Sequence, residues 1–292
     1  MQADPQPPER PYQAILLDLD GTLVNARGEV HPRTLEALRQ AHERGVVVMV
    51  ATGRSMIATR PVLQVLGLPT PAVVFNGAGI YCPAQERMLE ERLLSARILT
   101  QVHRYLERSQ DLAVFMGAHE KFARAPRNDA EARALEGLHQ IQTVPEAALA
   151  EVENVLRVTF LTDRHPDSHA YHAELEEHIV GPTYRTHFSL ALLPRYVGSP
   201  FQVADVHAPC LGKAEALRYL EETLQIPPQR VVAVGDAYND VPMVEAAGLG
   251  VCMGNGVPGL QRRAKRIIGD NEGPAIAELV EELFLSEVPT QP

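Results

Sequence analysis

Cysteine is scarce in this chain: there are three among 292 residues, Cys82, Cys210 and Cys252, and no two of them form a CxxC pair. This spacing excludes the usual zinc-binding motifs and is typical of proteins from a reducing compartment. The sequence also lacks any run of about 18 apolar residues, so we expect no membrane-spanning helix and no membrane partner. The N-terminal sequence MQADPQPPERP lacks the apolar segment of a secretory signal. We therefore expect a cytoplasmic protein.

Positive charge is in deficit. Lys and Arg number 27 against 37 Asp and Glu, so the formal net charge is −10. A surface this negative repels a phosphate backbone, which disfavours nucleic acid as a partner. A small anionic substrate is still compatible, because a local cation or a metal ion can outweigh the global field. No GxGxxG follows the first predicted strand, which disfavours a dinucleotide-dependent dehydrogenase.

Apolar residues, by contrast, make up 45% of the chain and recur in short runs that predict a sizeable core. The first third of the chain alternates between predicted strands and helices. Buried strands are predicted at 15–18, 46–51 and 72–75, and helices at 32–44 and 56–66 lie between them. This alternation is typical of a doubly wound α/β fold with a parallel, Rossmann-like sheet.

The pattern changes near residue 83, where strand-like and helical runs become mixed. Residues 83–204 predict an inserted α+β domain, with strands at 112–116 and 155–161 and a helix at 169–179. The α/β alternation then resumes, with predicted elements at 213–224, 231–234, 241–247, 250–253, 266–268 and 275–285. We therefore predict a flexible tail over 1–12, a core formed by 13–82 and 205–292, and an insertion over 83–204.

A strong motif, DLDGTL at 18–23, directly follows the first predicted strand. Ligands of an open parallel sheet bind at the carboxyl ends of its strands, where Asp18 is expected to face the crevice. Asp20 can point into the same site, and Gly21 allows a tight turn that brings amides near an anion. Two carboxylates this close repel each other unless a cation lies beside them, which suggests a divalent metal, one nucleophile and one proton donor. A plain Asp-Gly turn is the alternative.

A second motif, GDAYND at 235–240, also follows a predicted buried strand. Asp236 and Asp240 are four residues apart, so both face one point if a helix begins between them. Carboxylate oxygens with room for water and a phosphate oxygen suit Mg²⁺. An Asp/Asn helix cap is the alternative interpretation.

Two smaller elements are compatible with a phosphate site. Thr52 and Gly53 end the second predicted strand, where a hydroxyl and a nearby amide can hold a phosphate oxygen. Lys213 opens a predicted helix, where a lone cation opposes the helix dipole unless an anion is adjacent. Taken alone, each element is more often structural or solvent-exposed than functional.

In combination, DLDGTL, ATGR, Lys213 and GDAYND occur in the order and spacing of the haloacid-dehalogenase-like superfamily. The chain resembles its Cof-type phosphatases over nearly all of 13–285. These proteins carry a large α/β cap between the motifs that correspond here to ATGR and Lys213, so the resemblance implies that 83–204 is a cap that selects the substrate. It further implies Mg²⁺-dependent hydrolysis of a small phosphorylated metabolite, such as a sugar phosphate, a phosphorylated cofactor or a nucleotide.

The resemblance also implies a role for each motif residue. Asp18 is the expected nucleophile, which forms an aspartyl-phosphate, and Asp20 is expected to protonate the leaving alcohol and then to activate water. Mg²⁺ is expected on the carboxylates of Asp18 and Asp236 and on the backbone carbonyl of Asp20, with Asp240 supporting the ion indirectly. The residues expected to hold the transferring phosphoryl group are Gly21, Thr52, Gly53, Lys213 and Asn239.

Two other functions stay open on the same scaffold. A phosphotransferase or mutase would pass the phosphoryl group to a second hydroxyl, and a regulatory protein would bind without catalysis, which the intact motifs disfavour. The cap residues that face the substrate are not determined by the sequence; candidates for contact with an acidic or sugar substrate are Arg124, Arg127, Arg185, His187 and His207. We expect a monomer or a homodimer.

Overall fold

The computed structural model describes residues 11–138 and 140–286. Its strands are β1 (Ala14–Leu17), β2 (Val47–Val50), β3 (Ala72–Val74), β4 (Gly79–Cys82), β5 (Arg87–Glu91), β6 (Leu112–Met116), β7 (Lys121–Ala123), β8 (Ile141–Thr143), β9 (Arg157–Thr162), β10 (Tyr184–Ser189), β11 (Gln202–His207), β12 (Val231–Gly235), β13 (Leu249–Cys252) and β14 (Arg266–Ile267). Its α-helices are α1 (Pro32–Glu43), α2 (Met56–Leu66), α3 (Ala96–Ser109), α4 (Asp129–Leu135), α5 (Ser168–His178), α6 (Glu215–Leu224), α7 (Val241–Ala246), α8 (Pro258–Gln261) and α9 (Ala275–Val280).

The core is a parallel sheet with the strand order β14-β13-β12-β1-β2. Alternate residues of its central strands are buried on opposite faces, as the side-chain alternation of a strand requires. Ile15 and Leu17 of β1 pack with helices α1, α2 and α9, whereas Ala14 and Leu16 pack with α6 and α7. Helices therefore cover both faces of the sheet, which confirms the predicted doubly wound α/β core.

The third predicted strand, at 72–75, differs from the expectation of a full parallel neighbour. A single parallel bridge, Ala51 to Val73, joins β3 to the end of β2. Its main pairing is antiparallel, in a three-stranded sheet with the order β3-β4-β5. Val74 is followed at once by Phe75 and Asn76, which both have positive φ, so the chain turns sharply and cannot continue along β2.

The inserted segment builds a separate six-stranded sheet with the order β10-β11-β9-β6-β7-β8. Its strands pair antiparallel except for β7 and β8, which are parallel. One face carries an apolar cluster with α3 and α5, in which Val102 and Leu175 pack against Val158 and Phe160 of β9. The other face is turned towards the core, since Arg157 of β9 contacts the loop that follows β2. The predicted α+β insertion is thus present, and we call this sheet with its helices the cap.

The boundaries proposed at 82/83 and 204/205 remain a prediction, and the strand pairing runs across both regions. Strand β5 pairs with β4, on the core side of the first boundary. Strand β11 runs through the second boundary and pairs along its whole length with β9 of the cap. Of the predicted tail over 1–12, residues 1–10 lie outside the described part of the chain, and Tyr12 packs against the core.

The helices that follow the cap, α6, α7 and α9, lie close to the positions predicted from the sequence. Lys213 lies in a 3₁₀ turn, Gly212–Ala214, that leads into α6, and the last predicted helix is α9 followed by a π-helical turn. No helix within 11–138 and 140–286 is long and apolar enough to cross a bilayer.

Candidate active site

The two acidic motifs meet at one edge of the parallel sheet. Strands β1 and β12 are neighbours, with Leu17 opposite Val234, and the backbone amide of Asp18 donates to the carbonyl of Val234 at 3.0 Å. Asp18 and Asp236 therefore leave the sheet side by side, although they are 218 positions apart in the sequence. This placement follows from parallel pairing, because the carboxyl ends of parallel strands share one edge.

The loop after β1 folds back tightly over Asp236. Gly21 has φ of +80°, and a Cβ atom at this position would overlap with the Asp236 carboxylate, so only glycine fits here. The next residue, Thr22, donates from its hydroxyl to Oδ1 of Asp236 at 3.0 Å. Beyond the loop, the side chain of Asn255 donates to the carbonyl of Gly21 at 2.8 Å. Hydrogen bonds thus join the DLDGT loop to Asp236 of the GDAYND motif and to Asn255.

Lys213 lies at the centre of the acidic residues and is 2% exposed. Its Nζ is 2.6 Å from Oδ1 of Asp18 and 2.6 Å from Oδ1 of Asp240. Burial lowers the pKa of Lys213, but the charges of Asp18 and Asp240 outweigh this effect and raise it above its ordinary value. The lysine is therefore a permanent cation next to the nucleophile candidate.

The Asp240 side chain holds the backbone of its own motif, GDAYND, in place. Its Oδ2 accepts hydrogen bonds from the backbone amides of Asp236 and Ala237, both at 2.9 Å. The short 3₁₀ turn Tyr238–Asp240 places it there, and its Oδ1 accepts from Lys213. Because both oxygens already accept hydrogen bonds, Asp240 is suited to positioning Asp236 and Lys213.

The carboxylates of Asp18, Asp236 and Asp240 form a cluster in which one oxygen of each lies within 4.8 Å of the others. Burial raises the pKa of Asp18 well above its usual range, and Lys213 opposes this shift. Burial and the charge of Asp240 raise the pKa of Asp236 to about 6. A divalent cation would relieve this crowding of negative charge, and hard carboxylate oxygens are the donors that Mg²⁺ prefers. The donor set therefore fits a Mg²⁺ ion.

Asp20 lies apart from this cluster, with its carboxylate held by Arg54. The guanidinium donates to both carboxylate oxygens, at 2.8 Å from Nε and 2.5 Å from Nη2. The side chain of Asp20 is 56% exposed, in contrast to the buried Asp18. Arg54 is the arginine of the ATGR segment, so this bidentate pair joins that segment to the DLDGTL motif.

The remaining phosphate-site candidates surround the same crevice. Thr52 is fully buried, and its hydroxyl accepts a hydrogen bond from the backbone amide of Arg54 at 3.1 Å. The Asn239 side chain donates to Oδ1 of Asn76 at 3.0 Å. Asn76 also packs against Gly53, where a Cβ atom would lie 3.0 Å from the Asn76 Oδ1 atom. The structure thus brings Thr52, Gly53 and Asn239 together around Asn76.

The inner face of the cap contributes a polar group that the sequence interpretation missed. Arg157 donates from Nη1 to the carbonyl of Gly53 at 2.7 Å, and its guanidinium lies 5.4 Å from the ring centre of Phe75. Lys121, Thr159 and Asp205 are buried on the same face. A signal was present in the sequence, since Arg157 is the one charged residue in the mostly apolar run 155–161.

The five cap residues proposed from the sequence lie mostly elsewhere. Arg124 is buried in a bidentate pair with Glu131, and Arg127 and Arg185 bind cap residues or cap carbonyls. His187 lies 3.0 Å from the Ser168 hydroxyl of α5, on the outer face of the sheet. Among these five, His207 alone lies on the inner face, and it is fully buried.

Comparison with known proteins places this architecture in a family. Residues 15–280 match the model of the haloacid dehalogenase-like hydrolases. The pyridoxal phosphate phosphatase YbhA of Escherichia coli is 29% identical over 280 residues, which cover 92% of this chain and 97% of that protein. The phosphatase YwpJ of Bacillus subtilis is 27% identical over 286 residues, covering 92% and 99%. A haloacid dehalogenase-like hydrolase from Bacteroides thetaiotaomicron has the same fold, with a TM-score of 0.76 at 22% identity and coverage of 94% and 100%. This chain therefore belongs to the haloacid dehalogenase-like hydrolases.

Proposed function

We propose that this protein is a Mg²⁺-dependent phosphatase of small phosphorylated metabolites and acts through an aspartyl-phosphate on Asp18. The observation that carries the proposal is the contact of Lys213 with both Asp18 and Asp240 inside a cluster of three carboxylates. A buried cation beside a buried carboxylate opposes the effect of burial and favours the ionised form, which a nucleophile requires. It also places positive charge where the equatorial oxygens of a phosphoryl group would lie.

Asp18 attacks phosphorus, and the leaving alcohol departs on the opposite side, as an in-line displacement requires. Asp20 gives a proton to that alcohol and later removes one from the water that hydrolyses the aspartyl-phosphate. The bidentate contact with Arg54 fixes Asp20 beside the crevice before the substrate binds. Thr52, Lys213 and Asn239 hold the transferring group, with backbone amides at Gly21 and Gly53.

The Asp18 and Asp236 carboxylates and the backbone carbonyl of Asp20 would hold Mg²⁺, and Asp240 would orient Asp236 through its amide contacts. When bound, the ion supplies charge neutralisation for the nucleophile and for the phosphoryl oxygens. Thr22 fixes the Asp236 carboxylate in the orientation that this arrangement needs.

Names of relatives support a metabolite as the substrate. One is a pyridoxal phosphate phosphatase, as described above, and another is the 5-amino-6-(5-phospho-D-ribitylamino)uracil phosphatase YitU of Bacillus subtilis, which is 27% identical over 291 residues. Both substrates are small phosphate monoesters. We infer the same class of substrate for this chain, in which the cap sets the particular leaving group.

A panel of phosphate monoesters, assayed for released phosphate with Mg²⁺, tests this function. Hydrolysis of several esters, its loss on addition of EDTA and its return with excess Mg²⁺ are the expected results. A phosphate balance on each ester, with sugars and alcohols present as acceptors, separates hydrolysis from phosphoryl transfer. Activity that is indifferent to EDTA would refute the metal role, and no phosphate release from any ester would refute the function.

A further inference from the structure

A left-handed turn lies among the phosphate-site candidates. Phe75, Asn76 and Gly77 have φ of +52°, +50° and +98°, and all three are buried. Positive φ is uncommon outside glycine, although asparagine adopts it more readily than most residues. Such conformations persist only where the surrounding structure fixes them, and they cluster at functional sites. The side chain of Asn76, which the proposed mechanism does not use, is thus held at a defined place beside the crevice.

The backbone of this turn is joined to two segments of the site. The amide of Asn76 donates to the carbonyl of Thr52 at 3.0 Å. A Cβ atom at Gly77 would overlap the carbonyl of Gly212, the residue before Lys213, so only glycine fits here. The position of Asn76 is therefore fixed relative to both Thr52 and the Lys213 turn.

The side chain of Asn76 belongs to a row of polar groups that runs from the cap to the core. On the core side its Oδ1 accepts from Nδ2 of Asn239 at 3.0 Å. On the cap side its Nδ2 donates to Oγ1 of Thr186 at 3.5 Å, and the Thr186 hydroxyl donates to Oδ2 of Asp205 at 3.4 Å. Thr186 and Asp205 are opposite each other in the pairing of β10 with β11, so both side chains point to the inner face of the cap. We call these four residues the polar row.

Asp205 sets the direction of each hydrogen bond in the polar row. An ionised carboxylate only accepts hydrogen bonds, so the Thr186 hydroxyl donates to it and turns a lone pair towards Asn76. Asn76 meets that lone pair with its NH₂ group, which leaves its carbonyl oxygen facing Asn239. Turning the Asn76 amide over would bring two donors together at Asn239 and two acceptors together at Thr186 unless their groups turned as well.

This direction matters because Asn239 is a proposed ligand of the transferring phosphoryl group. A primary amide has two N–H donors and one carbonyl oxygen in a single plane. Asn76 accepts from one N–H of Asn239, so the orientation of the second N–H is fixed with it. A phosphoryl oxygen is attracted by an N–H and repelled by a carbonyl oxygen. Without the contact to Asn76, the amide of Asn239 is free to turn its carbonyl oxygen towards the anion.

We propose that Asn76 is a positioning residue, which orients the Asn239 amide so that an N–H faces the phosphoryl group, and that Thr186 and Asp205 of the cap fix the orientation of Asn76. This inference rests on the proposed phosphatase function. It gives the cap a second role besides the choice of leaving group, because contact with the cap completes the phosphate site in the core. A donor fixed in advance stabilises transition-state charge without reorganisation during the reaction.

A double-mutant cycle tests the proposal, with kcat/KM measured on the ester of the panel that is hydrolysed fastest. Asn76→Gly removes the amide and tolerates the positive φ, and Asn239→Ala removes the phosphate donor. Each variant alone should lower kcat/KM by about tenfold or more. Adding Asn76→Gly to Asn239→Ala should cause little further loss, because the effect of Asn76 passes through Asn239.

One variant controls for the loss of an asparagine at positive φ. Asn154 has φ of +55° and is exposed in the cap. Asn154→Gly should leave kcat/KM unchanged. Losses that add fully in the double variant, or no loss with Asn239→Ala, overturn the inference.

Inhibition by orthovanadate gives a readout that a purely structural role would not change. Vanadate resembles the phosphoryl group in the transition state, so its Ki measures how well the site holds that group. Asn76→Gly should raise Ki by about tenfold. Thr186→Val removes the hydroxyl and should raise Ki by about threefold, less than Asn76→Gly because its links are longer, whereas Thr186→Ser should restore the wild-type value. An unchanged Ki in Thr186→Val refutes the part of the cap.

The outcomes separate the two proposals. If the wild-type protein hydrolyses no ester of the panel, the phosphatase function fails and the inference fails with it. If the wild-type protein is active but Asn76→Gly leaves the vanadate Ki unchanged, the function stands and Asn76 only maintains the turn. Should Asn76→Gly not fold, as judged by circular dichroism, the vanadate Ki values of Thr186→Val and Thr186→Ser decide.

Discussion

Nζ of Lys213 lies 2.6 Å from Oδ1 of Asp18, and the two side chains are 2% and 4% exposed. The pair joins the start of the chain to a turn almost two hundred residues later, within a site that also contains Asp236 and Asp240. A buried pair of this kind contributes little net stability if both partners are present, but it is strongly destabilising if one partner is removed. Function and folding therefore depend on the same contact.

Replacing Asp18 with Asn should remove turnover and keep the fold. The amide preserves the volume of the side chain but is a poor nucleophile, so we expect kcat to fall by at least about a thousandfold. Phosphate release and circular dichroism measure the two effects. Asp163→Asn, at an exposed cap position, is the control and should retain full activity. Substantial residual hydrolysis by the Asp18 variant would exclude it as the nucleophile.

Lys213→Met should destabilise the protein by about 3–5 kcal/mol, because it leaves the carboxylates of Asp18 and Asp240 buried without their cation. Urea denaturation measures the free energy of unfolding. The double variant Asp18→Asn/Lys213→Met also removes one of the two buried carboxylates left without a cation, so it should be more stable than Lys213→Met alone. Equal stability of the two variants would show that the charges do not interact.

Mg²⁺ should raise the melting temperature of the wild-type protein, since an ion that binds only the folded state stabilises it by mass action. At an ion concentration of about 100 times Kd the gain is about 2.7 kcal/mol. Asp236→Asn should lose most of this increase, because it weakens a ligand in the carboxylate cluster. An unchanged increase in the variant would place the ion elsewhere. This measurement is independent of catalysis.

Asp20→Asn should separate the two chemical steps. An alkyl phosphate needs a proton on its leaving oxygen, whereas p-nitrophenolate leaves without one. With p-nitrophenyl phosphate we expect a burst of about one p-nitrophenolate per enzyme, followed by slow turnover, because the water that hydrolyses the aspartyl-phosphate has lost its base. With glycerol 3-phosphate we expect no burst. Stopped-flow absorbance and quenched-flow phosphate assays measure the two reactions.

Arg54→Gln is the companion variant. It keeps the Asp20 carboxylate but removes the two hydrogen bonds that orient it, so both steps should slow by about tenfold.

If Asp20→Asn slowed the burst phase of the aryl ester as much as it slowed the alkyl ester, proton donation by Asp20 would be wrong.

His207 should make the protein sensitive to mild acid. Burial lowers its pKa from 6.5 to about 4, with Arg157 adding to this shift and Asp205 opposing it. Between these two values the unfolded state binds more protons than the folded state, so the free energy of unfolding falls as the pH falls from about 6.5 to about 4. His207→Gln should flatten this dependence by up to about 3 kcal/mol.

Urea denaturation at several pH values across this range measures the slope. His119→Gln, at an exposed position in the cap, is the control for the loss of a histidine. Parallel profiles for the wild-type protein and His207→Gln would show that His207 is not the source of the pH dependence.

Much of the core was predictable because its determinants are local. Apolar runs of four to six residues bounded by helix starts and stops indicate buried parallel strands, and β1, β2, β12 and β13 lie within a residue or two of the predicted positions. The pairing of β10 with β11, in contrast, was not predicted. All six residues of β10 are half-buried, so the strand lacks the continuous apolar run by which the buried strands were recognised.

The sequence by itself determined that carboxylates follow two buried strands, and parallel pairing alone then brings Asp18 and Asp236 to one edge. The tertiary structure decided which groups those carboxylates meet. Three of these contacts join residues that are far apart in the chain. Lys213 pairs with Asp18, Arg54 pairs with Asp20, and Arg157 of the cap donates to the carbonyl of Gly53. No local pattern encodes them, because the sheet order and the approach of the cap set the distance between residues far apart in the chain.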